Sequence, residues 1–163
     1  MNLRRGFVAT LVLVAGIASF ASSAAAKPLT KAQFVAQANA LCGAAQTAIL
    51  PAFQKLSSQI GSSGGSPSPQ QITAFVGVFA PIVQKQINET RALKPPKLDQ
   101  AAVTKILKTD QNELNMLKAN PQLLGAKQAN PFLAADSLAR NFGLEDAPGS
   151  GMCVKPAKGG KGG

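Results

Sequence analysis

The sequence predicts an all-α protein, an antiparallel bundle of about four helices, some of them kinked by proline, tied by one disulfide. Three observations predict this fold. Apolar residues recur at helical spacing in four segments joined by short connections. No segment shows the alternation that is typical of a strand. The two cysteines, Cys42 and Cys153, lie near opposite ends of the apolar part of the chain.

Residues 1–26 are typical of a secretory signal peptide. Arg4-Arg5 supplies a positive start, Phe7–Phe20 is an uncharged apolar run, and Ala24-x-Ala26 offers a cleavage site. A membrane anchor is the less favoured alternative, because a span needs about 20 apolar residues. The arginine pair also resembles a twin-arginine signal, so the export route stays open. We expect a mature protein without a transmembrane span, secreted or held in the periplasm or cell envelope after cleavage near Ala26.

The mature chain is expected to hold one domain. Residues 27–154 are predicted to form the helical bundle, since this length suits a single core. Residues 155–163, KPAKGGKGG, have no side chain that could anchor them in a core and are predicted to be a disordered basic tail. The full chain carries 17 basic and 7 acidic residues, a balance that attracts polyanions but does not determine the fold.

Export favours a disulfide between Cys42 and Cys153, because cysteine pairs outside the cytosol are usually oxidised. The bond would close a loop that contains most of the domain, and chain entropy makes such a crosslink worth roughly 4–5 kcal/mol. A free thiol pair and an intermolecular bond are the alternatives.

The first two helices have clear start signals. Thr30 with Gln33 and Ser68 with Gln71 both fit capping boxes. The first apolar face continues past Pro51, so we expect a kinked helix rather than two helices; this face comprises Phe34, Ala38, Leu41, Cys42, Ala45, Ala48, Phe53, Leu56 and Ile60. The second helix should bend at Pro81 and stop at Lys94-Pro95-Pro96; its apolar residues are Ile72, Phe75, Val76, Phe79, Ile82, Val83 and Ile87.

The third and fourth helices follow the same logic. Asp99 can cap the third, whose stripe is Val103, Ile106, Leu107, Leu114 and Leu117. Asn120-Pro121 should start a short turn, and Asn130-Pro131 should open the fourth helix, whose apolar residues are Phe132, Leu133, Leu138, Ala139 and Phe142. Gly143 is a natural left-handed cap, after which Leu144 can fold back onto the bundle.

The sequence offers little chemistry for catalysis. It contains no histidine, which removes the commonest general base and metal ligand. Its acidic residues form no metal or catalytic motif, and the Gly-rich segment near residue 64 lacks the lysine of a phosphate-binding loop. We expect no catalytic, cofactor-binding or metal site, and no enzymatic activity.

Asp110 is the one carboxylate that falls on or beside an apolar stripe. A functional interpretation makes it a polar group in a bundle cavity that binds a ligand. The simpler interpretation, which we favour, is a flanking residue whose carboxylate reaches solvent or hydrogen-bonds to a neighbouring helix.

Arg91, Lys94 and Lys97 cluster where the second helix meets the third. Cations near a helix C-terminus complement its dipole, which explains them without any function. The functional alternative is a polyanion contact with an anionic envelope polymer or lipid headgroups. Nucleic acid is not expected as a partner, because an exported chain without Trp or Tyr lacks those side chains for base stacking.

Three motifs carry a resemblance. Phe34-x-x-x-Ala38-Asn39-x-x-Cys42, Leu93-x-Pro95-Pro96 and Phe142-Gly143-Leu144 before Cys153 resemble a group of uncharacterised small secreted bacterial helical proteins. The resemblance implies an exported, disulfide-tied bundle and implies no activity. Together with the composition it favours a non-enzymatic binding or structural module at the cell envelope or outside the cell. The alternative is a carrier of a small apolar ligand, in a core opened by Pro51 and Pro81.

The crosslink can be tested on the exported protein. Its intact mass should lie two hydrogens below the fully reduced value, with Lys27 as the first residue. Cys42→Ser should lower the melting temperature markedly, because the unfolded chain regains the loop entropy. An unreacted thiol pair in the exported protein would contradict the disulfide.

Overall fold

The computed structural model describes residues 27–63, 66–125 and 130–144. Within them the chain forms four α-helices and two short 3-10 helices, with no strand. The α-helices are α1 (Lys31–Ser63), α2 (Pro69–Ala92), α3 (Gln100–Ala119) and α4 (Leu133–Phe142), and the 3-10 helices are Lys97–Asp99 and Pro121–Leu124. The all-α bundle is therefore confirmed. The predicted signal peptide, the basic tail and Cys153 lie outside the described residues.

Both predicted capping boxes are confirmed. The Thr30 backbone N–H donates to the Gln33 side chain at 2.9 Å, and the Gln33 N–H donates back to the Thr30 hydroxyl at 3.3 Å. Ser68 and Gln71 exchange the same two bonds at the start of α2. Asp99 occupies the N-cap position of α3, as predicted. Its side chain makes no capping hydrogen bond there.

Helix α1 runs without interruption through Pro51 and extends to Ser63, three residues past Ile60, the last residue of its predicted apolar face. Its predicted apolar face is too wide. Phe53 is 55% exposed, and Ala48 is exposed as well. The reason is that α1 packs extensively on α2 alone among the described elements. One neighbouring helix covers a narrow stripe, which includes Phe34, Ala38, Cys42 and Ala45.

The core lies between consecutive helices, since α1 packs on α2, α2 on α3, and α3 on α4. All five predicted positions of α3 are buried. Phe79 of α2 lies between two other rings, with its centroid 5.7 Å from that of Phe75 and 5.9 Å from that of Phe132. Ile82 and Leu138 are only partly buried. Leu133 was predicted in the core but is exposed, because it begins α4 on the outer side.

A pair of amides fixes how α2 lies against α3. The Gln84 and Gln111 side chains exchange two hydrogen bonds, each 2.8 Å long. The pair lies in the second half of α2 and just past the middle of α3, as antiparallel neighbours joined by a short link require.

The last helix returns to the first. The Phe142 ring meets the Phe34 ring edge-on at 5.9 Å between centroids. Gly143 then adopts φ 99°, the left-handed conformation predicted for the cap. Leu144 folds back and is buried, as expected from the sequence. The final described residues therefore lie beside the N-terminal part of α1.

The packing predicts which truncations destabilise the bundle. Leu107→Ala and Phe79→Ala should each lower the free energy of unfolding by roughly 2–5 kcal/mol, the range for large buried side chains. Met116→Ala is the matched control, because Met116 is an exposed apolar residue of α3 and should change stability by under about 0.5 kcal/mol. Urea denaturation measures all three. Equal losses at the buried and exposed positions would contradict this assignment of faces.

Candidate functional site

All four helices place one terminus at the same end of the bundle. α1 and α3 begin there, and α2 and α4 end there. The Leu29 N–H donates to the Lys94 carbonyl at 2.8 Å, which ties the segment before α1 to the link after α2. The Lys31 ammonium lies 4.5 Å from the centroid of the Phe142 ring, which ties α1 to α4. We call this region the basic end, after the side chains that follow.

The predicted trio lies together on this end. Arg91 is in the last turn of α2, Lys94 is in the link, and Lys97 opens the first 3-10 helix, and all three are exposed. Arg91 donates to the Asn88 side chain at 3.2 Å. The fold brings further exposed cations to the same end, which spacing along the sequence could not show: Lys27, Lys31 and Arg140.

The described carboxylates are distributed unevenly. Glu89 and Asp99 lie towards the basic end, and Glu89 forms an exposed ion pair with Lys85 at 3.7 Å. Asp110, Glu113 and Asp136 instead gather between α3 and α4. This second group, the carboxylate cluster, lies in the α3–α4 interface rather than at the basic end.

Asp110 is the most unusual residue of the carboxylate cluster. It is 0% exposed, and neither carboxylate oxygen has a hydrogen-bond partner among the described residues. Burial, reinforced by the negative charges of Glu113 and Asp136, raises its pKa to about 8. Both simpler interpretations made from the sequence are therefore wrong, because the carboxylate neither reaches solvent nor bonds to a neighbouring helix.

Glu113 has a structural task. Its two oxygens accept the backbone N–H groups of Ala134 and Ala135 at 3.0 and 3.1 Å. These donors are in the first turn of α4 and would otherwise lack an intrahelical partner. Burial raises the pKa of Glu113, and the two backbone bonds oppose that rise. A side chain of α3 thus caps α4.

Asn130 completes the start of α4. Its amide donates to Asp136 at 2.7 Å, and its side-chain oxygen accepts the Phe132 N–H at 3.0 Å. The polar cluster therefore orients the short fourth helix on α3. Among the described residues no group of carboxylate, cysteine or histidine side chains is arranged to hold a metal ion. The cluster cannot be recognised from the sequence, because Asp136 is distant from Asp110 along the chain. The one signal in the sequence is the position of Asp110 on an apolar stripe.

Two clefts lie between α1 and α2. One of about 280 Å³ is lined by apolar side chains that include Leu56, Phe75 and Val78. The other, of about 200 Å³, lies against Leu41 and Ile82. Neither cleft is lined by Pro81 or Asp110, the residues near which a carrier cavity was expected.

None of the described helices is both long and apolar enough to span a bilayer. No protein family, curated protein or solved structure matches the chain. The resemblance to small secreted bacterial proteins stays a prediction.

The carboxylate cluster predicts how stability depends on pH. An unfolded Asp110 ionises near pH 4, whereas the folded one keeps its proton to about pH 8. Between these values the folded state holds one extra proton, so stability falls as pH rises, by up to about 1.4 kcal/mol per pH unit. This contribution is fully present below pH 4 and lost above pH 8. Glu113, whose pKa is also raised, acts in the same direction.

Denaturation at several pH values tests this dependence. Asp110→Asn should remove most of the slope in the upper part of the window, because the amide is neutral in both states. Asn112→Ala is the control, because it changes an exposed, uncharged residue of α3 and removes no titratable group, so it should leave the slope unchanged. An unaltered slope in Asp110→Asn would contradict a buried neutral carboxyl.

Proposed function

We propose that the chain is an exported, non-enzymatic helical bundle that acts as a binding module at the cell envelope or outside the cell, and that its basic end contacts an anionic surface there. The observation that carries the proposal is the gathering of exposed cations from separate segments at one end. The convergence depends on the fold, because Lys27, Lys31 and Arg140 are far from the predicted trio along the chain.

Helix dipoles do not account for this arrangement. Arg91 and Arg140 lie in the last turns of α2 and α4, where a cation is favourable by about 0.3–1 kcal/mol. Lys31 is the first residue of α1, and Lys97 precedes α3. At these N-terminal ends the dipole opposes a positive charge, and α1 has no acidic residue in its first turn. An external anion would offset that unfavourable interaction.

Export and the crosslink belong to the same proposal. We place signal cleavage near Ala26 and the disulfide between Cys42 and Cys153. The Phe34–Phe142 contact supports the crosslink, since Cys42 lies only about 12 Å further along α1 than Phe34. The nine Cα-to-Cα steps from Leu144 to Cys153 can span up to about 30 Å when extended, so the bond lies within reach.

A carrier of a small apolar ligand is the second candidate. The cleft lined by Leu56, Phe75 and Val78 favours it, although about 280 Å³ falls just below the usual volume of ligand pockets.

A solvent-sensitive apolar dye should bind in this cleft, and Val78→Gln should abolish the fluorescence signal. Exposed Met116→Gln, on another helix, controls for loss of surface hydrophobicity. Dye binding that survives Val78→Gln would exclude this cleft.

The basic end predicts a charge-dependent interaction. The exported protein should sediment with anionic envelope fragments at low ionic strength and be released by salt. Each basic residue near an anionic surface contributes about 1 kcal/mol, so replacing Arg91, Lys94 and Lys97 together with Gln should weaken binding by roughly 100-fold and make its salt dependence shallower.

The control removes the same charge elsewhere. Lys55, Lys108 and Lys118 are exposed on α1 and α3 outside the basic end, and their joint replacement with Gln should cost little binding. Equal losses in the two triple variants would show attraction by net charge alone. No binding by the parent protein at low ionic strength would refute the proposed function.

A further inference from the structure

The basic end presents one large apolar side chain to solvent. Leu98 is 98% exposed, the highest value among the exposed large apolar residues described. It is the middle residue of the first 3-10 helix, between Lys97 and Asp99. Isolated exposed leucines are ordinary on protein surfaces, so Leu98 by itself would carry no inference. The inference comes from the position of Leu98 among the cations of the basic end.

The link holds Leu98 outward in a defined geometry. The Asp99 N–H donates to the Pro96 carbonyl at 2.9 Å, which closes the 3-10 turn under Leu98. Pro95 and Pro96 have their φ angles fixed by their rings. The Leu29–Lys94 backbone bond attaches the start of the link to the segment before α1. Leu98 thus lies on a constrained turn and is not covered by any of the described residues.

The exposed Leu98 and the cations around it suit a partner that is both anionic and apolar. We infer that the basic end is a membrane-contact surface, in which Leu98 enters the interface of an anionic phospholipid bilayer while Arg91, Lys94 and Lys97 bind the headgroups. This inference rests on the proposed function and narrows its anionic partner to lipid. A hydrated soluble polyanion satisfies the cations but offers a leucine side chain nothing apolar. A bilayer interface accommodates both, because basic side chains stay at headgroup level while apolar ones enter.

The connectivity of the chain agrees with this orientation. Lys27, the first described residue, is joined through Leu29 to the basic end. The apolar run Phe7–Phe20 ends a few residues before it in the sequence. The predicted signal peptide is therefore joined to the described chain on the side of the bundle where the cations and Leu98 are.

A single tryptophan reports directly on the contact, because the chain has no Trp or Tyr of its own. The full-length chain is exported and purified as Leu98→Trp, and separately as Leu133→Trp. Leu133 is also exposed but begins α4 at the opposite end of the bundle. The emission of Leu98→Trp should shift to the blue with phosphatidylcholine vesicles that contain phosphatidylglycerol. It should not shift with phosphatidylcholine alone, and Leu133→Trp should not shift with either.

Binding of the Leu98→Ser variant separates lipid from a soluble polymer. Loss of the leucine should weaken partitioning to anionic vesicles by roughly tenfold and leave binding to soluble polyphosphate unchanged. Leu133→Ser should change neither. If the parent binds both probes but Leu98→Ser matches it on vesicles and Leu98→Trp shows no shift, this inference falls and the proposed function stands. If the parent binds neither probe, both fall.

Discussion

The edge-on contact between Phe34 and Phe142 is the interaction on which the arrangement of the bundle depends. It joins the first helix to the last, although α1 otherwise packs on α2 and α4 on α3. Antiparallel packing of consecutive helices puts the beginnings of α1 and α3 and the ends of α2 and α4 at one end, and this contact brings α1 and α4 side by side there. The basic end is a product of this packing, since its cations come from segments that only the folded chain brings together.

Helix α4 is too short to be stable as an isolated helix. Polar side chains as well as apolar ones attach it to the rest of the bundle. Glu113 binds its first backbone N–H groups, and Asn130 fixes Asp136 beside them. The arrangement places three carboxyl groups near one another, and Asp110 is left without a partner in the described structure. A buried polar group without a hydrogen bond is costly, and its charged form costs more, so Asp110 keeps its proton at neutral pH. The residues that attach α4, Glu113 and Asp136, are also the neighbours whose negative charges raise the pKa of Asp110.

Local signals in the sequence predicted local structure well. The capping boxes at Thr30 and Ser68, the five buried positions of α3 and the left-handed Gly143 depend on residues a few positions apart, and all are confirmed. The errors occur where a distant element decides. Phe53 and Leu133 fit an apolar pattern but lack a neighbouring helix to cover them. The candidate site divides in the same way, because Arg91, Lys94 and Lys97 cluster in the sequence, whereas Lys31 and Arg140 join them only through tertiary structure.

The surface charge of the folded chain also differs from what composition suggests. A formal net charge of +10 counts every carboxylate as ionised and treats all charges alike. In the folded protein Asp110 is largely neutral at pH 7. The Glu113 carboxylate accepts a backbone N–H group at the start of α4. Three of the five described acids, Asp110, Glu113 and Asp136, lie in the α3–α4 interface, whereas Glu89 and Asp99 lie towards the basic end. The carboxylate cluster therefore holds α4 on α3 through hydrogen bonds, while the six exposed cations of the basic end outnumber the two carboxylates described there.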